Sequence, residues 1–357
     1  MTYVTKIYMP DREKFKSYID GIYESGWLTN NGPLLQKLEK RLEEHLGVKN
    51  LLCLSNGTTA LQFAYRLLEM EGEVITTPFS FVSTTSAIVA ENLTPVFADI
   101  DNRSYNIDPK NIEDKITEKT CAIAPCHVFG NACDIETIDK IANKYNLKVI
   151  YDASHAFDVK YKDKHILGCG DISIVSFHAT KIFHTIEGAA IVIKDDTLYE
   201  KAKVLRNYGI DRADSVSILG INAKMNEVEA AMGLCMLDEL DLIIKEREKS
   251  HSFYVKELKD YVQLQEKNSN ATQSYSYFPI VLKSELEMNR VKEALLDRDI
   301  ASRQYFKPSL DTLPYIQTDE IMHNSRDIAS RILVIPMHSG VEPEVAETII
   351  KTIKGGE

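Results

Sequence analysis

The chain has 357 residues, of which 44% are hydrophobic and 27% are charged, and its formal net charge is −11. This length predicts two domains, or one large domain with a smaller appendage. The acidic balance argues against a general binder of nucleic acids or acidic membranes, because either would carry a basic face. It still allows a phosphorylated small molecule held by a few local donors.

The chain shows no signal for membrane insertion, secretion or metal binding. No apolar run approaches the roughly 18 residues of a membrane span. The first twelve residues contain charges and Pro10 where a secretory signal would be apolar, which predicts a cytoplasmic protein. The six cysteines form no Cys-x-x-Cys pair, so we expect reduced, mostly buried thiols and neither a metal site nor a disulfide framework.

The first half of the chain alternates strand-like apolar runs with helix-like stretches. Strands are predicted at 50–54, 73–77, 95–98, 121–126, 148–151, 171–176 and 189–193. Helices are predicted between them at 60–70, 82–91, 109–116 and 135–145. Strands that alternate with helices predict parallel crossover units and a sheet covered by helices on both faces.

The pattern changes near residue 238. A long charged helix is predicted at 237–258, and further elements follow as strands at 276–281 and 332–336 and helices at 285–299 and 342–353. We therefore predict a large α/β domain at 1–237, whose segment 1–35 contributes to the ligand cleft. A smaller α+β domain is predicted at 238–357.

Small and hydroxyl residues follow the first predicted strand. Ligands of an open α/β sheet gather at the carboxyl ends of its strands. Gly57, Thr58 and Thr59 lie at such an end and open a helix, whose free N–H groups suit a phosphate. Taken alone, the motif is also explained by an ordinary helix cap.

An acid, a lysine and an aromatic residue follow three other strands. Asp152 could cap a turn, or it could be a buried carboxylate that pairs with a protonated pyridine nitrogen. Lys181 follows a strand in an aromatic, weakly charged neighbourhood, where a lysine amine is a nucleophile toward carbonyls, although a surface lysine would show the same spacing. Phe81 offers either core packing or a plate for a flat ring. Together these groups suit a phosphorylated pyridine aldehyde, pyridoxal phosphate.

At these residues the sequence resembles the DegT/DnrJ/StrS group of sugar aminotransferases. The motifs that carry the resemblance are Ser-Asn-Gly-Thr at 55–58, His-Val-Phe-Gly at 127–130, Ser-Phe-His-Ala-Thr-Lys at 176–181 and Gly-Ile-Asn-Ala-Lys-Met at 220–225. The resemblance covers most of the chain. It implies the aspartate-aminotransferase type fold (fold type I), with a mostly parallel sheet between helices and a small C-terminal α+β domain.

The resemblance also implies a role for individual residues. Lys181 would hold pyridoxal phosphate as a Schiff base and carry protons, and Asp152 would pair with the pyridine nitrogen. His155, often Gln in the group, would lie beside the phenolic oxygen, and Phe81 would stack on the ring. The phosphate would be held by Gly57, Thr58, Thr59, Ser176 and, from the neighbouring subunit, Asn222. Asn222 therefore implies a homodimer with shared active sites, although it could instead mark an ordinary helix start.

Two positions depart from the group without removing a catalytic group. Lys224 stands where Arg is common, which keeps the charge but changes the geometry. Gly188-Ala189 stands where Gly-Gly is frequent. The group also contains dehydratases in which a histidine replaces the lysine, and Lys181 argues against that branch.

The sequences of these motifs are most similar to those of the VioA-like branch of the group. This implies amino transfer from L-glutamate to C4 of dTDP-4-keto-6-deoxy-D-glucose, giving dTDP-4-amino-4,6-dideoxy-D-glucose for O-antigen in lipopolysaccharide. Residues expected near the sugar, each of which could instead be packing or surface, are Trp27, Thr29, His184, Arg303, Tyr305 and His338. Amination of C3 and a UDP- or GDP-linked substrate are alternatives. Non-catalytic alternatives are a regulatory protein on the same fold and a module that only binds nucleotide sugars.

Overall fold

The structure is a computed structural model that describes residues 1–355. Its helices are α1 (Arg12–Ser25), α2 (Pro33–Leu46), α3 (Gly57–Leu67), α4 (Ser83–Ala90), α5 (Ile135–Tyr145), α6 (Asp196–Arg206), α7 (Glu227–Leu258), α8 (Glu285–Leu296), α9 (His323–Arg331) and α10 (Pro343–Lys354). Its strands are β1 (Leu51–Leu54), β2 (Glu73–Thr76), β3 (Thr94–Phe97), β4 (Thr120–Ala124), β5 (Lys148–Asp152), β6 (Lys160–Tyr161), β7 (Lys164–His165), β8 (Ile172–Ser176), β9 (Ala189–Ile193), β10 (Ile210–Arg212), β11 (Ser215–Val216), β12 (Gln263–Leu264), β13 (Phe278–Val281) and β14 (Ile332–Ile335).

A seven-stranded sheet with the order β1-β9-β8-β5-β4-β2-β3 forms the centre of the larger part. Only β9 in this sheet runs antiparallel to its neighbours. Successive residues of each strand join opposite clusters: Leu51 and Cys53 pack with α2 and α5, whereas Leu52 and Leu54 pack with α3 and α6. Such burial on both faces explains the nearly continuous apolar strands and confirms the predicted α/β class.

A smaller three-stranded sheet, β12-β13-β14, is antiparallel and packs against α8 and α10. Helix α7 belongs to both parts. Its first half packs on α1 and α2, and its second half contributes Tyr254 and Leu258 to the core of the smaller part. The predicted boundary at 237/238 therefore lies inside a continuous helix. We propose that the chain forms two domains and that α7 belongs to both of them.

The predicted helix at 109–116 is wrong. The structure has two single 3₁₀ turns there, Pro109–Asn111 and Glu113–Lys115. Ile112 is the buried apolar side chain of this stretch, and an amphipathic α-helix needs a longer apolar stripe. Helices α1, α2, α6 and α9 were not predicted.

The long helix also begins earlier than predicted, at Glu227 instead of residue 237. A capping box fixes this start. The Asn226 side chain accepts a hydrogen bond from the Glu229 amide (3.0 Å), and the Glu229 carboxylate accepts one from the Asn226 amide (3.1 Å). After the acidic first turn, residues 230–236 are all buried and small or apolar, so this part of the helix shows no amphipathic period.

Residues 2–11 form an extended segment, here called the N-terminal strap, that joins the two parts. Thr2 pairs with Ile300 in a parallel bridge next to α8. Val4 is buried in a cluster that contains Phe79 and Phe306. Farther along, the Asp11 amide donates to the Glu239 side chain of α7 at 2.9 Å. None of the helices within residues 1–355 combines the length and the apolarity that crossing a bilayer requires.

Candidate active site

A cleft of about 520 Å³ opens at the carboxyl edge of the central sheet. Its walls are the segments that follow β1, β2, β4, β5 and β8, together with aromatic residues of the smaller part. The predicted site residues that line it are Gly57, Thr58, Phe81, Asp152, His155, Ser176, Lys181 and Tyr305. Most of the predicted cofactor residues therefore lie together in this cleft, at the carboxyl ends of the strands.

One end of the cleft is the start of α3. Asn56 is the N-cap, and its side chain accepts a hydrogen bond from the Thr59 amide at 2.8 Å. The amides of Gly57 and Thr58 belong to the first turn, where N–H groups lack intrahelical partners. A β-carbon at Gly57 would lie 3.4 Å from the Ser176 hydroxyl. A helix start without side-chain bulk, faced by a hydroxyl, is suited to an anion such as phosphate.

Asp152 ends β5 on the floor of the cleft and is only 4% exposed. Its Oδ2 accepts a hydrogen bond from the Thr84 hydroxyl (2.7 Å), and its Oδ1 accepts one from the Ser154 amide (3.1 Å). A carboxylate has about four acceptor positions. Asp152 is therefore held in place with acceptor capacity left over for a cationic or N–H group in the cleft.

His155 lies within a group of aromatic rings. Its imidazole is nearly parallel to Phe129 (centroids 6.3 Å apart) and to Phe306 (5.7 Å), and Tyr277 meets it edge-on. Burial lowers the pKa of His155 well below its usual range, and the positive charge of Lys181 lowers it further. Its buried Nδ1 has no hydrogen-bond partner among residues 1–355. A neutral imidazole with an unused nitrogen is equipped to bond a ligand oxygen.

Lys181 lies in the loop that follows β8, and its backbone amide donates to the carbonyl of His178 at 2.8 Å. Its Nζ lies 5.7 Å from the centroid of the Tyr277 ring, a cation–π distance. Tyr277 comes from the smaller part, immediately before β13. Both parts of the molecule therefore surround the amine.

Phe81 is 56% exposed although it is a large apolar side chain, and it lines the mouth of the cleft. A turn presents it there, because the Thr84 amide donates to the Phe81 carbonyl at 3.1 Å. At the same mouth His178 and Glu187 form a half-exposed pair with 3.5 Å between Nε2 and Oε1. The mouth thus offers one flat apolar surface and one polar pair.

Asn222 does not line this cleft. It is exposed on the loop before α7, and its Oδ1 accepts a hydrogen bond from Lys224 at 2.8 Å. An exposed position leaves it accessible to a second chain, so its role in a neighbouring subunit stays a prediction. Thr59 likewise does not line the cleft, and its amide donates to the Asn56 side chain.

Of the six residues predicted near the sugar, Tyr305 lines the cleft. Trp27, Thr29 and Arg303 are exposed elsewhere on this chain. The structure therefore does not bring these three together with Lys181 inside one chain, and their contact with substrate stays a prediction.

His184 and His338 are buried and hold the N-terminal strap. His184 Nδ1 accepts from the Ile186 amide (3.3 Å), so its Nε2 carries the proton and donates to the carbonyl of Tyr8 (2.8 Å). His338 repeats this arrangement, with Nδ1 bonded to the Gly340 amide and Nε2 to the carbonyl of Tyr3 (3.0 Å). Both nitrogens of each ring bond to the backbone, which gives both histidines a structural role, and their contact with the sugar stays a prediction.

Thr84, which bonds to Asp152 without lining the cleft, was missed in the sequence, as were the cleft residues Glu187, Tyr277 and Phe306. The dense aromatic runs at 275–278 and 305–306 were the available signal for the last two. Nothing local distinguishes Thr84 from its neighbours in a run of hydroxyl residues, because its role depends on a contact with Asp152, 68 positions away.

Comparisons with known proteins agree along the whole chain. A sequence profile of the DegT/DnrJ/EryC1/StrS aminotransferase family matches residues 10–354. A dTDP-4-amino-4,6-dideoxy-D-glucose transaminase from Shigella dysenteriae is 43% identical over 99% of this chain and 98% of its own length. An Escherichia coli protein of the same name is 38% identical over the same shares. A GDP-perosamine synthase from Escherichia coli O157:H7 is 31% identical over 97% of both chains.

Solved structures give the same result for the fold. The crystal structure of DesI in the presence of its TDP-sugar product superposes with a TM-score of 0.91 at 29% identity, covering 98% of this chain and 92% of DesI. Helicobacter pylori PseC, an aminotransferase of pseudaminic acid biosynthesis, gives 0.91 at 28% identity and covers 99% of both chains. These likenesses confirm the predicted fold type.

Proposed function

Because the chain belongs to the DegT/DnrJ/EryC1/StrS aminotransferase family, we propose that it transfers an amino group to C4 of dTDP-4-keto-6-deoxy-D-glucose. The predicted enzyme class, a pyridoxal-phosphate-dependent nucleotide-sugar aminotransferase, is confirmed by this membership and by the named transaminases. The observation that carries the choice of substrate is full-length identity of 43% and 38% to two proteins named for this product.

The cleft fits pyridoxal phosphate. Gly57, Thr58 and Ser176 would hold the phosphate at the start of α3, and Asp152 would hold the ring nitrogen with its remaining acceptor capacity. The unused Nδ1 of His155 would bond the phenolic oxygen. When bound, the protonated pyridine ring accepts electron density from the α-carbon of an amino donor, which is the chemistry that amino transfer requires.

The side chains of the chain perform the remaining tasks. Lys181 lines the cleft, and its Nζ would move a proton to and from the reacting carbon. From the smaller part, the Tyr277 ring lies beside the Lys181 amine and Phe306 stacks on His155, so aromatic rings flank both groups. Phe81 would stack on the ring.

We further propose L-glutamate as the amino donor and a homodimer as the active form. The exposed Asn222 supports the dimer, since it would complete the phosphate site of the partner, and Trp27, Thr29 and Arg303 would then approach the sugar across the shared cleft. The product would enter O-antigen synthesis for lipopolysaccharide, in the cytoplasm.

A spectral experiment tests the cofactor and the donor. The purified protein should take up pyridoxal phosphate and absorb visible light, and addition of L-glutamate should bleach that band. Lys181→Ala should abolish the band, whereas Lys164→Ala, at an exposed lysine of β7, should keep it. A wild-type protein that takes up no pyridoxal phosphate would overturn the proposed function. A visible band that does not change when glutamate is added would overturn glutamate as the donor and favour a protein that binds the cofactor without transferring an amino group.

A product analysis tests the acceptor. Incubation with glutamate and dTDP-4-keto-6-deoxy-D-glucose should give a sugar whose NMR spectrum places nitrogen on C4. The corresponding 3-keto isomer and UDP- or GDP-linked keto-sugars are the comparison substrates. If any of these is turned over faster than dTDP-4-keto-6-deoxy-D-glucose, the proposed acceptor is wrong.

A further inference from the structure

We propose that Thr84 is a positioning residue of the cofactor site, which fixes both the acid and the aromatic residue that would hold the pyridine ring. This inference rests on the proposed function, because its ligand is pyridoxal phosphate. Thr84 is fully buried in the first turn of α4. It is not itself among the residues that line the cleft, so it would act through its neighbours.

The side chain of Thr84 holds the acid. Its hydroxyl donates to Asp152 Oδ2 at 2.7 Å, and both residues are buried. A hydroxyl that donates to a carboxylate forms a charge-assisted bond, which is about twice as strong as a neutral one. Because threonine is β-branched, its side chain has few rotamers in a helix. The bond therefore fixes the rotation of the carboxylate and leaves its other acceptor positions for the ring nitrogen.

The backbone of Thr84 holds the aromatic residue. The Thr84 amide donates to the Phe81 carbonyl at 3.1 Å and closes the turn that exposes Phe81 to the cleft. Thr84 thus connects Asp152, which is expected at the edge of the pyridine ring, to Phe81, which is expected at the face of that ring. A displacement of Thr84 would move both.

The next residue of α4 provides a matched control. Thr85 is also fully buried, but its hydroxyl has no hydrogen-bond partner among residues 1–355. Val has the shape of Thr without the hydroxyl, so Thr84→Val and Thr85→Val make the same chemical change in the same helix turn. Only the first change removes a bond to Asp152.

The experiment measures the affinity of the full chain, stripped of cofactor, for pyridoxal phosphate by titration of the visible band. Thr84→Val should weaken binding by about tenfold, the loss typical of a hydrogen bond to a charged group. Thr84→Ser, which keeps the hydroxyl, should restore it, and Thr85→Val should bind like the wild type. Thr84→Ala replaces Thr84→Val if that variant does not fold.

Unfolding of the cofactor-free variants separates positioning from stability. If Thr84 positions the site, Thr84→Val should lose much more affinity for pyridoxal phosphate than Thr85→Val does. This difference should be larger than the difference between the unfolding midpoints of the two variants can explain. The inference is overturned if Thr84→Val binds like the wild type, if both valine variants weaken binding equally, or if Thr84→Ser does not restore it. A wild-type chain that binds no cofactor would instead overturn the proposed function.

Discussion

At the residue scale, hydrogen bonds hold the acid of the site, Asp152, whereas the amine of Lys181 lies beside an aromatic ring. Asp152 is held by a hydroxyl and an amide. Among residues 1–355 no hydrogen bond or ion pair holds the amine of Lys181, which lies over the Tyr277 ring. The freedom of the amine suits a group that must transfer protons, and the ring limits where it can move.

The Tyr277 ring provides the first prediction at this scale. Tyr277→Leu should slow the half-reaction with glutamate roughly two- to fivefold, because a cation–π contact stabilises an ammonium by about 0.5–1 kcal/mol. Tyr277→Phe keeps the ring and should react like the wild type. The rate of bleaching of the visible band in a single turnover measures both. A leucine variant as fast as the wild type would show that the ring does not guide Lys181.

The residues at this scale also show the limit of prediction from sequence. Lys181, Asp152 and Ser176 were predicted correctly to lie together, because each follows a strand whose carboxyl end meets the same edge of the sheet. Tyr277 was missed because it comes from a separate part of the chain, and the aromatic run at 275–278 does not by itself show which residue it contacts. His184 and His338 were named only as candidates near the sugar, and their hydrogen bonds to the backbone of the strap could not be foreseen because they join distant parts of the chain.

At the element scale, the helices before and after the central sheet are joined through their ends. The start of α2 has glycine as its N-cap and no side-chain cap of its own. The buried Glu227, the first residue of α7, supplies it instead, accepting from the amides of Leu34 (2.8 Å) and Leu35 (2.9 Å). A carboxylate at a helix start also complements the helix dipole.

Glu227 therefore carries a prediction about stability. Glu227→Ala should lower the free energy of unfolding by about 3 kcal/mol, because two buried amides lose a charged acceptor. Glu229→Ala, which removes only the capping-box side chain of α7, should cost about 1 kcal/mol. Urea denaturation at one protein concentration measures both. Equal losses would contradict a special role for Glu227 in joining the helices.

Elements were predictable where the pattern was local. The strands of the central sheet were predicted nearly in full because burial on both faces makes them apolar throughout. The start of α7 was not, since residues 230–236 are small or apolar on every side and only the cap at Asn226 and the acidic first turn mark the helix start. The predicted helix at 109–116 is instead two 3₁₀ turns, of which the first begins with an aspartate cap and a proline, as α-helices also do.

At the scale of the whole molecule, buried histidines couple folding to pH. Burial lowers the pKa of His127 to about 3 and that of His165 and His251 to about 4. In the unfolded chain these groups titrate near their ordinary value of about 6.5. Above that pH they are neutral in both states. Below it the unfolded chain binds protons that the folded chain does not, so stability falls as the pH falls.

The resulting prediction is a loss of about 1.4 kcal/mol per pH unit for each of the three histidines between about pH 6.5 and 4. The free energy of unfolding should therefore be several kcal/mol lower at pH 5.5 than at pH 7. Urea denaturation at the two pH values measures it. His165→Gln should make this dependence shallower by one histidine's share, and an unchanged slope would contradict the assignment.

The N-terminal strap has a consequence for how the protein is made. Its partners are far along the chain, at Ile300 beside Thr2 and at His338 beside Tyr3. Synthesis at about 5–20 residues per second separates them by roughly 15–60 seconds. During that interval Tyr8 can already bond to His184, but the partners of Thr2 and Tyr3 and part of the apolar cluster around Val4, including Phe306, have not been made. The first residues to be translated therefore reach their final contacts only near the end of synthesis.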